Sequence, residues 1–118
     1  MLSLSSSLRY FLYDQPTDMR NGIYGLSGLV KNKFGRDPLS GDVFVFLCSR
    51  GNQIRLLKWD RDGYELYIKR LEAGTFERPA DGQLQLSSAQ LSLILHGVRL
   101  SSVRHHKRYS RIPAGSVF

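Results

Sequence analysis

The sequence has little cysteine and no long apolar run. Cys48 is the single cysteine among 118 residues, so an internal disulfide cannot form, and a reducing cytoplasm is the expected location. No stretch approaches the roughly 20 consecutive apolar residues that a membrane-spanning helix needs, and no basic-then-apolar leader opens the chain. We therefore expect a cytoplasmic protein with no membrane partner.

Acidic residues are missing from the C-terminal part of the chain. Residues 83–118 contain five Lys or Arg and no Asp or Glu, whereas residues 1–82 contain twelve basic and ten acidic residues. The net charge of +7 is therefore concentrated near the C-terminus, where it attracts polyanions such as nucleic acid. The alternative is a solvated basic terminus without a ligand. We expect one domain over residues 1–98, followed by a basic arm over residues 99–118.

Patterns typical of enzymes and cofactor sites are also missing. Most of the aspartates fall at predicted turns or at a helix start, where local hydrogen bonding explains them. The glycines of residues 22–28 lie inside a predicted helix rather than between a strand and a helix, so they do not form a phosphate-binding loop. His105 and His106 are adjacent, which rarely lets both face one metal ion. We expect no catalytic residue, no metal and no cofactor.

Residues 43–71 contain three runs rich in Val, Ile, Phe, Tyr and Trp, separated by two short turns at residues 49–52 and 60–63. These turns carry the Gly, Asn and Asp that tight hairpin loops require. The pattern predicts a three-stranded antiparallel meander. Alternation along the strands assigns Ile54, Leu56, Leu66 and Ile68 to one face, and Arg55, Trp59, Glu65 and Lys69 to the other.

Two helices are predicted around this meander. The first follows a strand at residues 9–13 and spans residues 18–34, with Thr17 as its N-cap and Gly35 as its left-handed end. Three glycines within it, three residues apart, indicate close approach of this helix to the sheet or to another chain. The second starts at Ser87 in a capping box and ends near His96.

The expected fold is therefore α+β, with a mainly antiparallel sheet of about four strands, one long helix packed on it and a short second helix. Basic side chains on the strands, interleaved with aromatic rings, can bind phosphates and stack on bases. The alternative is that these rings and lysine stems only cover the half-buried sheet. The DNA-binding candidates are Arg50, Arg55, Lys58, Lys69, Arg70, Arg99, Arg104, Lys107, Arg108 and Arg111.

The order and spacing of several short motifs carry a family resemblance over most of residues 8–98. The motifs are Thr17-Asp18-Met19-Arg20 with Gly22, Gly25-Leu26 and Val30; Gly35-Arg36-Asp37-Pro38 with Ser40-Gly41; Phe44-Val45-Phe46; Arg55, Leu57 and Trp59-Asp60 with Gly63; and Lys69-Arg70-Leu71-Glu72 with Gly74 and Phe76. This pattern resembles the small TnpB accessory proteins, or second-open-reading-frame-like family, of bacterial IS-66 insertion sequences. The residues of interest within it are Asp18, Arg20, Gly22, Trp59, Asp60 and Glu72.

The resemblance implies a non-enzymatic factor that is encoded in a transposable element and needed for its efficient movement. The expected mechanism is DNA binding through basic residues, which helps the element's transposase. The alternative is a protein-interaction adaptor that contacts the transposase and binds DNA weakly or not at all. The expected partners are therefore DNA and the transposase, and a homodimer stays open as well.

Overall fold

The fold is built on one five-stranded sheet. The computed structural model describes residues 4–79 and 83–97 of the chain. Its strands are β1 (Tyr10–Leu12), β2 (Val43–Leu47), β3 (Gln53–Asp60), β4 (Gly63–Arg70) and β5 (Gln85–Leu86), in the spatial order β4-β3-β2-β1-β5. Strands β1 and β2 are parallel, and every other neighbouring pair is antiparallel. The expected α+β class with a mainly antiparallel sheet is confirmed, and the two-residue β5 raises the strand number to five.

The predicted meander is present as β2, β3 and β4. The β3–β4 hairpin closes through the pair Asp60 and Gly63, and Arg61 in its turn has a φ of 52°. Central strand β2 is buried along its whole length, because its alternate side chains enter two separate cores. The sheet is thus the middle layer of the domain.

One helix covers each face of the sheet. The first helix begins as α1 (Ile23–Leu29) and continues as a π-helical segment, Val30–Phe34. It packs through Leu26 and Val30 against Phe44 and Phe46, and we call this side the α1 face. The second helix, α2 (Ser88–His96), packs its three buried apolar residues against the opposite side, the α2 face. Among the described residues, none of the helices is long and apolar enough to cross a membrane.

The predicted assignment of side chains to the two faces of the sheet is wrong for β4. Leu66 pairs with Leu57, and Ile68 pairs with Arg55, so both lie on the α1 face, away from Ile54 and Leu56. Glu65 and Lys69, paired with Lys58 and Ile54, lie on the α2 face. The alternation of apolar and polar residues shows which side chains of one strand share a face of the sheet, but it does not relate the faces of two different strands. The two-residue turn sets the register between strands, and each face has a helix to cover apolar side chains.

The first helix starts five residues later than predicted. The Thr17 amide donates to the Leu47 carbonyl at 2.8 Å, so the chain still follows β2 where the helix was expected to begin. A turn closed by the Asn21 amide and the Asp18 carbonyl then leads to Gly22, which caps the helix without a side-chain hydrogen bond. Pairing with the sheet therefore outweighs the capping signal of Thr17. The left-handed end at Gly35 is confirmed, with a φ of 70°.

The glycines of the first helix do not bring it close to the sheet. A Cβ placed on Gly22 or Gly28 would meet no atom within 4 Å, and the three atoms nearest to one on Gly25 belong to the Asn21 side chain of the preceding turn. The expected close approach to the sheet is therefore wrong, whereas contact with another chain stays a prediction. The predicted second helix is confirmed, including both hydrogen bonds of the Ser87 capping box and the left-handed Gly97.

Candidate functional site

The loop between β2 and β3 is held in place by backbone hydrogen bonds. Within it, the Gly51 amide donates to the Cys48 carbonyl, and the Cys48 thiol donates to Oδ1 of Asn52 at 3.1 Å. The chain leaving β4 adds two further bonds, from the Leu71 amide to the Asn52 carbonyl and from the Phe76 amide to the Gly51 carbonyl, each 2.8 Å long. The loop therefore has a defined shape that can position a side chain without large reorganisation.

This loop forms one wall of an open groove of about 510 Å³. The groove lies where the loop, the end of β4 and the segment that precedes the first helix meet. Arg50 and Arg70 line it together with Asn52 and Gln53, whose side-chain oxygens accept hydrogen bonds from Cys48 and Arg55. Both arginines are exposed, and neither has an ion-pair partner among the residues that the structure describes. The groove thus offers two available guanidinium groups beside two amides.

Asp18, which also lines the groove, forms a local ion pair. Arg20 donates to both carboxylate oxygens of Asp18, with the shortest contact, 2.6 Å, between Nη2 and Oδ2. The hydrogen bonds from Arg20 lower the pKa of Asp18 from its usual 3.8 to about 2. Asp18 is therefore ionised at neutral pH, and Arg20 offsets its charge. This gives two residues of the family motif a local structural explanation.

Thr17, another residue that lines the groove, has a buried hydroxyl without a hydrogen-bond partner in the described part of the chain. The residue is only 4% exposed, and its amide is the group that continues the pairing with β2. A buried, unpaired hydroxyl costs about 1–3 kcal/mol. A polar ligand in the groove offers one way to offset that cost.

Three other predicted DNA-binding residues make contacts within the chain. Arg55 donates to the backbone carbonyl of Asn21 at 2.7 Å, which fixes the turn before the first helix. Lys58 lies 3.4 Å from Asp60 and 3.7 Å from Glu65, and its side chain is 15% exposed. Lys69 donates to the Leu95 carbonyl in the last turn of α2. These contacts give each residue a role in the fold, while their role in binding DNA stays a prediction.

The five remaining DNA-binding candidates lie outside the residues that the structure describes. They are Arg99, Arg104, Lys107, Arg108 and Arg111. Of the family-motif residues, Trp59 packs edge-on against Tyr64 with 5.1 Å between the ring centroids, and Glu72 is exposed after β4. The sequence reading missed Asn52 and Gln53 as groove residues. Their position two and three residues after Arg50, where the loop passes into β3, was the available signal.

Exposed apolar side chains lie on the α1 face of the sheet. Tyr24 on the first helix is 84% exposed and touches Tyr64 of β4, with 6.5 Å between ring centroids. Ile68, on the same strand and face, is 50% exposed. We call Tyr24, Tyr64 and Ile68 the aromatic patch. Two tyrosines and an isoleucine at the surface are typical of protein contact sites.

Comparison with known proteins identifies the family. Residues 8–105 match the family model described as IS66 Orf2 like protein. Two similar proteins come from Sinorhizobium fredii (strain NBRC 101917 / NGR234). The one named uncharacterized protein y4jC is 38% identical over 88% of this chain and 91% of its own length, and the one named uncharacterized protein y4hO is 34% identical over 83% and 87%. No solved structure matches the chain significantly. The chain belongs to the IS66 Orf2-like family, the small transposition-associated proteins of bacterial insertion sequences.

Proposed function

We propose that this transposition-associated protein binds DNA through the groove and its basic C-terminal segment, without catalysing a reaction, and thereby assists the element's transposase. The observation that carries the proposal is the pair Arg50 and Arg70, which line one groove and have no acidic partner among the described residues. Guanidinium groups bind phosphate oxygens through paired hydrogen bonds. The neighbouring amides of Asn52 and Gln53 are suitable further donors to a nucleic-acid backbone.

The charge distribution supports the same proposal. The five basic residues of segment 83–118 have no acidic residue in that segment to offset them. Binding of Lys and Arg to phosphates releases counterions from DNA, so the affinity should fall steeply with salt concentration. Such contacts do not depend on the base sequence. The protein should therefore bind many duplexes and leave sequence choice to another component, such as the transposase.

The acidic residues support a non-enzymatic role. Asp18 pairs with Arg20, Asp42 pairs with Arg9, and Asp37 accepts the Leu39 amide within a turn. In residues 4–79 and 83–97, no group of three His, Cys, Asp or Glu side chains is placed to hold a metal ion. Each of these carboxylates thus has a local structural role, which argues against a two-metal nuclease site.

The groove can be tested by fluorescence anisotropy with labelled duplex DNA over a range of salt concentrations. The variant is Arg50→Gln with Arg70→Gln. Its matched control is Arg61→Gln with Arg78→Gln, which removes the same charge from exposed positions outside the groove. Removal of one arginine–phosphate interaction should reduce the slope of log affinity against log salt by about 0.9. We expect this slope to decrease by up to about twice that amount for the groove variant and by less for the control.

Equal losses of affinity for the groove variant and its control would show that binding depends on overall charge and not on the groove. No binding of the wild type to DNA at low salt would reject the DNA-binding proposal. The purified protein should also leave duplex DNA intact in the presence of Mg²⁺ or Mn²⁺. Metal-dependent cleavage that Asp18→Asn or Asp60→Asn abolishes would contradict the non-enzymatic role.

The aromatic patch favours a second candidate, an adaptor that contacts the transposase. Exposed tyrosines supply contact area at low cost in conformational entropy. This role predicts that the protein co-purifies with its transposase after nuclease treatment, and that Tyr24→Ala weakens the complex. Loss of the complex on nuclease treatment would instead indicate that the two proteins meet only on DNA.

A further inference from the structure

Strand β4 forms one edge of the sheet and is eight residues long. No other described strand pairs with its outer side. The strand contains no proline, and its pairing with β3 runs without a bulge from Gly63 to Arg70. Short strands, prolines, bulges and charged side chains are the usual means by which proteins protect an exposed edge from other strands. β4 uses none of the first three, and its charged residues, Glu65, Lys69 and Arg70, include both signs of charge.

The register shows which backbone groups point outward. The Leu71 amide donates inward to the Asn52 carbonyl, and the hairpin closes through Asp60 and Gly63. Because the direction of backbone groups alternates along a strand, odd-numbered residues of β4 bond to β3 and even-numbered residues point outward. The outward amides and carbonyls therefore belong to Tyr64, Leu66, Ile68 and Arg70.

We propose that β4 pairs antiparallel with β4 of a second copy of this chain, with Tyr67 opposite the partner's Tyr67. In this register, Leu66 lies opposite the partner's Ile68, and both residues have outward backbone groups. The same holds for Tyr64 and the partner's Arg70. The two-fold axis thus generates closely spaced hydrogen-bonded pairs on both sides of the central tyrosines.

The side chains of β4 are complementary to themselves in this register. Glu65 faces the partner's Lys69, and Leu66 faces the partner's Ile68. The first is an opposite-charge pair and the second an apolar pair, and both kinds of pair stabilise neighbouring strands. Within the chain, Lys69 also donates to the Leu95 carbonyl, and Glu65 lies 3.7 Å from Lys58. The apolar pair also covers Ile68, which is 50% exposed in the single chain.

Neighbouring registers lose this complementarity. With Ile68 on the two-fold axis, Leu66 would face the partner's Arg70, and Tyr67 would face the partner's Lys69. With Leu66 on the axis, Leu66 would face its own copy and Tyr64 would face the partner's Ile68, but Glu65 would face the partner's Tyr67 and would lose its opposite charge. Of these three registers, only the one centred on Tyr67 pairs apolar side chains and also pairs Glu65 with a cation.

The oligomeric state can be measured by sedimentation equilibrium of the full chain over a concentration series. We expect the mass to rise from the 13.5 kDa of one chain toward twice that value. Ile68→Lys places a charge opposite an apolar side chain and should leave only monomer. The matched control is Leu39→Lys, because Leu39 is 52% exposed and lies outside the sheet. It should behave like the wild type. A monomeric wild type, or a dimer that Ile68→Lys does not weaken, would overturn the proposal.

The register itself can be tested by disulfide formation in a Cys48→Ser background. Tyr67→Cys places two thiols directly opposite each other in a non-hydrogen-bonded pair, where the Cα atoms lie about 4.5 Å apart, within the range of a disulfide. Glu65→Cys places its two thiols four positions apart along the strands, too far to bond. We expect a disulfide-linked dimer from the first variant only. Equal cross-linking of both variants, or none in either variant while circular dichroism shows folded protein, would contradict the register.

Discussion

At the scale of single residues, the ion pair of Asp18 and Arg20 has a measurable dependence on pH. The hydrogen bonds from Arg20 lower the pKa of Asp18 to about 2, below its usual 3.8. A carboxyl group whose pKa is lowered in the folded state stabilises the fold above its unfolded pKa, and this contribution is lost as the pH falls through the folded value. We expect the wild type to lose its stability advantage over Asp18→Asn between about pH 4 and pH 2, as measured by urea denaturation. If the free energies of unfolding of the two proteins change equally with pH over this range, the expectation is wrong.

Trp59 allows a second test at this scale. Its ring packs edge-on against Tyr64, but the residue is only partly buried. Truncation of a buried aromatic residue costs about 3–5 kcal/mol, so we expect Trp59→Ala to lower the free energy of unfolding by about 3 kcal/mol or less. Tyr24→Ala is the control, because Tyr24 is 84% exposed and should change stability by less than about 1 kcal/mol. If Trp59→Ala keeps the melting temperature of the wild type but no longer binds DNA, the ring is a residue that contacts DNA.

The candidate site was only partly predictable from single residues. Arg50 and Arg70 could be recognised as cations in a hairpin loop and at the end of a strand. The predicted β3–β4 turn sets the pairing of Gln53 with Arg70. The groove also needs the segment before the first helix, and the long-range bond from the Thr17 amide to the Leu47 carbonyl that places this segment is not specified by the sequence. The contacts of Arg55 and Lys69 with the backbone join residues distant in the chain. Long-range pairs of this kind follow from tertiary packing and leave no local pattern.

At the scale of secondary-structure elements, the capping box of α2 gives a direct stability test. The Ser87 hydroxyl accepts the Gln90 amide, and the Gln90 side chain accepts the Ser87 amide. Loss of such a cap costs about 1 kcal/mol, so Ser87→Ala should lower the free energy of unfolding by about that amount. Ser88→Ala is the matched control, because Ser88 is the first helical residue and forms no cap. Equal effects of the two substitutions in urea denaturation would reject this role of the cap.

The elements that could be predicted are those with strong local signals. The meander has turn residues at both loops, and α2 has a complete cap and a glycine end. The start of the first helix was wrong because the Thr17 amide bonds to β2, a contact between segments far apart in sequence. Strand β5 was missed because two residues carry no periodicity, and it exists only through its pairing with β1. Local signals thus identified the elements, while contacts between elements set their boundaries.

At the scale of the whole molecule, the C-terminal basic segment should strengthen binding to all DNA sequences alike. Phosphate contacts carry no base information, so replacing Arg104, Lys107, Arg108 and Arg111 by Gln should weaken binding to element-end and random duplexes by the same factor. The salt dependence of binding should decrease in parallel. Gel-shift titrations with both duplexes provide the measurement. A loss of affinity confined to one duplex would indicate that this segment reads sequence.

The position of β1 between β2 and β5 determines the order in which the chain can assemble. Hairpins between sequence neighbours close quickly, so β2, β3 and β4 can pair first, whereas β1 must find β2 across the first helix. Among the described strands, β5 has β1 as its single sheet neighbour, and its residues are the last of the sheet to be synthesised. Until residues 85–86 leave the ribosome, the outer edge of β1 lacks this partner. Pulse-labelled hydrogen exchange should accordingly show protection in β3 before protection in β5, and a nascent chain that ends before residue 83 should be prone to aggregation.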